Sequence, residues 1–150
     1  MGFWNSIRIA ASGLSSQRLR LDLISNNIAN AQTTKTDAGG PYKRQDLILT
    51  PQGTNPFEIQ LARLRGEEPA LSTGLKGVQV ASIVTDNDAG PRVYDPSHPD
   101  ADEDGYVQYP NVNMVVEMTN MIFASRSYEA GLTVIEAAKR MALKALEIGK

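Results

Sequence analysis

Hydrophobic residues recur every seven positions at both ends of the chain. Near the N-terminus Ile7, Leu14, Leu21 and Ile28 share one heptad position, and Ala10, Gln17, Ile24 and Ala31 share the position three later. A repeat sustained over about four heptads predicts a coiled-coil seam on one long helix. Gln17 is the polar exception on that seam and a candidate for fixing register. The C-terminal segment repeats the beat. Met114, Met121, Tyr128, Ile135 and Ala142 form one row, and Met118, Ser125, Leu132, Lys139 and Leu146 form another four positions on. A third row, Ala124, Gly131, Ala138 and Ala145, is uniformly small, and small residues at this spacing let a second helix approach closely.

Between these segments the pattern breaks. All eight prolines lie between Gln32 and Asn111, and proline removes a backbone donor and clashes with the preceding helical turn. The chain therefore divides into a helix over residues 1–31, an irregular β-containing insert over 32–111 and a second helix over 112–150. Short β-branched and aromatic runs bounded by Gly, Pro and Asp predict strands at 42–49, 77–84, 92–94 and 106–108. Residues 51–75 read as a loop or an arm. At about 1.5 Å per residue the helices are about 40 Å and about 55 Å long. The fold class is mainly α with a small β insert, its two long helices paired as an antiparallel coiled coil.

The apolar pattern is wider than one partner helix covers. The C-terminal helix carries two rows of large residues and one of small, and Ile9, Leu19 and Leu23 lie off the N-terminal seam. A helix apolar on several faces must be buried on several faces. With two helices in the chain, the remaining cover is expected from other chains, which points to assembly.

Composition narrows the chemistry. The 150 residues contain 15 Lys+Arg and 17 Asp+Glu, a net charge of −2, so there is no basic excess of the kind that binds nucleic acid or an anionic membrane surface. No apolar run approaches the roughly 20 residues of a membrane span. Neither a transmembrane segment nor a cleavable secretory signal is expected. Cysteine is absent and histidine occurs once, as His98, so thiolate chemistry and multi-histidine metal sites are excluded. His98, flanked by Ser97 and Pro99, reads as a locally bonded loop residue rather than a catalytic base. Gly39-Gly40-Pro41 reads as a tight turn. The run from Asp100 through Asp102 and Asp104 to Gly105 matches the first half of a calcium loop, and a small calcium-binding module is the alternative reading. The twelfth loop position is Asn111 instead of glutamate, which favours an acidic solvated turn. No cofactor and no catalytic site is expected.

One segment stands apart. Asn26, Asn27 and Asn30 crowd the end of the first helix, where asparagine suits a helix stop, yet a stop alone does not require so many amides. Asn27-Ile28-Ala29-Asn30 followed by Thr34 resembles the N-terminal signature of the bacterial flagellar basal-body rod protein family. The stretch from Met121 to Ala130, with Ser125, Arg126 and Tyr128, resembles that family's C-terminal motif. Thr33-Thr34-Lys35-Thr36 leading to Gly39-Gly40-Pro41-Tyr42, and the run from Asp95 to Asp102, resemble its proximal rod members. The resemblance implies a structural subunit that leaves the cell uncleaved through the flagellar type III export apparatus. It implies helical stacking in the periplasm, with copies of itself, other rod proteins and the rod-to-ring junction protein as partners. The expected assembly interface is Ile7, Leu14, Leu21, Ile24 and Ile28 on the first helix. On the second it is Met114, Met118, Met121, Tyr128, Leu132, Ile135 and Leu146.

Overall fold

The computed structural model describes residues 3–52, 61, 64–65 and 77–148. Its elements follow in the order α1 (Phe3–Ala29), β1 (Gln45–Pro51), β2 (Val78–Thr85), β3 (Arg92–Tyr94), β4 (Tyr106–Gln108) and α2 (Met114–Ile148). The molecule is mainly helical with two small antiparallel sheets, β1 with β2 and β3 with β4. Most of the predicted 51–75 loop lies outside the described residues.

Both helices end where the local chemistry ends them. Asn113 caps α2, its side-chain oxygen accepting from the backbone N–H groups of Val115 and Val116 at 3.1 and 3.2 Å, which satisfies donors that a helix start leaves open. At the end of α1 the Asn30 backbone N–H still donates to Asn26, while Ala31 turns more tightly onto Ile28. The Asn30 side chain donates to the Asn26 carbonyl at 2.9 Å and accepts from Thr33 at 3.2 Å, tying off the last turn.

β1 starts at Gln45, three residues later than the pattern predicts. The Tyr42 backbone N–H donates to the Thr33 carbonyl at 3.0 Å, so residues 33–42 close a loop instead of extending the strand. Gly39 and Gly40 make that loop possible with φ of 85° and 75°, angles that side chains with a Cβ rarely adopt. The β1–β2 hairpin carries a bulge between Ile48 and Leu49.

The helices pack on each other, and the hairpin packs on α1. This alters one expectation. Part of the apolar surface of α1 outside its seam is covered from within the chain and needs no neighbouring molecule. Leu23 is buried, and the Val78 backbone N–H donates to the Ser12 hydroxyl at 3.0 Å. A Cβ on Gly77 would come within 2.3 Å of that hydroxyl, so the hairpin sits on the helix at glycine distance. Among the described residues the buried apolar core is small: Leu23, Ile24, Leu47, Ala124 and Ala138, with Val107 enclosed on β4.

Candidate assembly surface and its anchoring hub

Asn27 is buried, only 1 % exposed, and its amide is fully bonded. Its side-chain nitrogen donates to the Gln45 carbonyl at 2.8 Å and to Glu117 at 3.2 Å. Its oxygen accepts from the Tyr42 hydroxyl at 2.9 Å and the Gln45 backbone N–H at 3.0 Å. One side chain on α1 thereby holds the entry to β1 and reaches α2. Glu117, also 1 % exposed, accepts from Arg44 Nε at 2.9 Å. Arg44 in turn donates to the exposed Asp46 at 3.1 Å.

The electrostatics follow from this burial. Burial, then the Glu117 charge, raises the Tyr42 phenol above its ordinary value, so it stays a donor to Asn27. Burial pulls the Arg44 guanidinium down, but the hydrogen bond and charge of Glu117, with Asp46 adding to them, raise it overall. A buried carboxylate is tolerated only when paired and hydrogen-bonded, and Glu117 has both. Asparagine density at the end of α1 therefore has two causes: Asn30 finishes the helix, and Asn27 joins three elements. The other hub residues, Tyr42, Arg44, Gln45 and Glu117, escaped the sequence reading. The available signal was Glu117 itself, a charge seven residues before Ala124 on the small-residue row.

Above the hub the helices stay in close contact. A Cβ on Gly131 would lie 2.9 Å from a Leu14 methyl, which makes the small row a surface of close approach. The protected positions of α2 include Glu117, Met121, Ala124, Tyr128, Gly131, Ile135, Ala138 and Ala142, spaced by four and three in turn. Gln17 Oε1 is buried without a hydrogen-bond partner among the described residues, so this oxygen pins no register within the chain.

The expected interface residues fall into two groups. Ile24 is buried, and Ile7, Leu14, Leu21, Ile28, Met121, Tyr128 and Ile135 are half-buried. Met114, Met118, Leu132 and Leu146 are exposed, Leu146 at 70 %. Ile122, Phe123, Val134 and Met141 add to the exposed apolar surface of α2. Of the motif residues besides Asn27 and Ile28, Asn30, Thr34 and Ser125 are half-buried, while Ala29 and Arg126 are exposed. An apolar groove of about 530 Å³ runs between the helices, lined by Ala10, Gly13, Leu14, Gln17, Gly131 and Val134 among others.

The acidic turn is held by its own bonds. Asp102 accepts from the backbone N–H groups of Tyr106 and Asp104 and pairs with Arg92, which also lies over the Tyr106 ring. The Tyr106 N–H, then Arg92, holds the Asp102 carboxyl below the usual carboxylate range. Asp95 is lowered by the Ser97 hydroxyl and N–H. Asp100 accepts from Thr34 at 2.7 Å, and His98 Nδ1 accepts from the Asp100 N–H at 3.1 Å. Among the described residues no three acidic or imidazole side chains gather to hold a metal ion.

Comparison with known proteins agrees with this architecture. The family described as flagella basal body rod protein matches residues 7–35, and the family described as flagellar basal body rod FlgEFG protein C-terminal matches 103–148. The flagellar basal-body rod protein FlgC of Borreliella burgdorferi is 48 % identical over 155 aligned positions, covering 99 % of this chain and 98 % of its own length. The FlgC proteins of Bacillus subtilis and Salmonella typhimurium are 40 % and 37 % identical, and each alignment covers the whole of both chains. Full-length likeness at this level, with the rod motif placed at the hub, shows that the chain belongs to the flagellar basal-body rod family, as a FlgC-like structural subunit and not an enzyme.

Proposed function

We propose that this chain is a subunit of the proximal rod, stacking helically in the periplasm as part of the drive shaft that carries torque from rotor to hook. In this reading 1–31 and 112–150 are the axial helices, paired antiparallel as a coiled coil, and 32–111 is the outward insert. The partners are further copies of the chain, the other rod proteins and the rod-to-ring junction protein. The subunit reaches them uncleaved through the flagellar type III export apparatus.

The observation that carries the proposal is the exposed apolar row Met118, Leu132 and Leu146 on α2, with Phe123 at 63 % exposure beside it. Large exposed apolar patches mark interaction surfaces. Ile7, Leu14, Leu21, Ile24, Ile28, Met121, Tyr128 and Ile135 hold the helix pair and complete the packing within the assembly. Heterologous contacts between unlike surfaces propagate as an open helix, and close-packed interiors deform little under load.

The test is Met118→Asp with Leu132→Asp. The variant is exported and soluble, but isolated basal bodies lack rods and the cells do not swim. Normal rods in that variant would overturn the proposal.

A further inference from the structure

The seam between the helices does not by itself fix how far one helix slides along the other. Leu14 and Leu21 are seven apart on α1, and Ala124, Gly131 and Ala138 are seven apart on α2. Moving α2 by one heptad, about 10 Å, so that Leu14 meets Ala138 brings Leu21 to Gly131 and Ile28 to Ala124, so these apolar seam residues still meet small ones, whereas the opposite slip, to Ala124, is opposed only where Leu21 comes onto Glu117 of the hub. The Gly131 contact with Leu14 opposes such a slip by a single methyl group against the end of a flexible side chain. Among the described residues Gln17 Oε1 has no hydrogen-bond partner to oppose it. The hub does not tolerate the slip. Asn27 would lose Glu117 and face the methyl of Ala124, while Glu117 would lose both its partners, Arg44 and Asn27.

We infer that Asn27, Arg44 and Glu117 are the register lock of the helix pair: the apolar seam supplies the attraction, and the buried polar hub selects one of several equivalent registers. Because Asn27 also holds both backbone groups of Gln45, the same lock fixes where the β1–β2 hairpin stands along the helices. Buried polar groups in otherwise apolar helix seams specify register in this way. The inference rests on the helix pairing proposed above.

The chain has no cysteine, so introduced pairs report register directly. Three double variants place cysteines at 14 and 131, at 14 and 124, or at 14 and 138, in full-length chain within isolated basal bodies. Intrachain disulfides are identified by peptide mapping after oxidation. With the natural hub only the 14–131 pair closes. With Asn27→Leu, Arg44→Met and Glu117→Met together, a 14–124 or 14–138 disulfide rises from background to the same order as 14–131. Glu117→Gln, which keeps an amide-bonding oxygen, retains the single 14–131 product.

An apolar-hub variant that still closes only 14–131 overturns the inference and assigns register to the connection through residues 86–113. An apolar-hub variant that assembles no rods overturns it as well, because the seam alone is then unable to hold the pair. Failure of the rod assignment shows separately, as absence of the natural-hub chain from the basal body.

Discussion

Two heptad rows of α2 meet opposite surroundings, the second carrying large apolar residues at alternate positions with Ser125 and Lys139 between them. Ala124, Gly131 and Ala138 are protected, while Met118, Leu132 and Leu146 stand in solvent. By apolar side-chain size alone Met118, Leu132 and Leu146 are the better core residues. The small stripe goes inside because it lets α1 come close enough for Asn27 to reach Glu117 and for Leu14 to rest on Gly131. The large stripe stays exposed, and in the proposed rod it meets neighbours, where broad apolar area matters more than close backbone approach. Small residues set the geometry within the subunit, and in the proposed assembly large ones supply surface between subunits.

That contrast can be broken first at the hub. Glu117→Ala takes the shared acceptor from half-buried Arg44 and buried Asn27, which keep only Asp46 and the Gln45 carbonyl, and losing one partner of a largely buried pair costs about 3 kcal/mol. Urea unfolding of the purified chain measures the loss, and a change under about 1 kcal/mol would deny the hub its structural weight. A smaller effect is expected on the inner stripe. Gly131→Val drives a branched side chain into Leu14, an overpacking that costs about 1–3 kcal/mol. The same midpoint measurement decides, and an unchanged midpoint would mean that the helices do not approach as closely as the small stripe implies. On the outer stripe Leu146→Asp is expected to change subunit stability by no more than about 0.5 kcal/mol, as at an exposed site. Its effect appears only in rod yield, and equal losses in both assays would erase the distinction between the stripes.

The smallest effect belongs to the insert. Asp95 and Asp102 have folded values held below the ordinary carboxylate range. Their contribution is present above the unfolded value near pH 3.9 and fades as pH falls through the lower folded values. Both groups are solvent-exposed, so the change stays local. Amide exchange in the 95–106 turn is expected to quicken in that acid window while the helix amides hold. A turn that loosens above pH 5 would contradict the assignment.

Much of the fold was legible because its causes are local. The glycine turn at 39–40, the short strands at 92–94 and 106–108, and both helix spans follow from neighbouring residues. The hub was not legible, since Asn27 reaches partners 18 and 90 residues away and Arg44 meets Glu117 across 73. The hairpin cover on α1 was missed for the same reason: periodicity identifies an apolar face but not what lies on it.

The sequence by itself determined two long heptad-patterned helices around a proline-rich insert, a chain without thiol chemistry, and the rod-family motifs. Only the tertiary structure decided which heptad row turns inward, that the hairpin shields part of α1, and that Asn27 is a joint rather than a helix stop. The physical reason is that periodicity is set by neighbours along the chain, whereas the choice between equally apolar faces is made by close backbone approach and by a few buried polar groups that have partners in one arrangement alone.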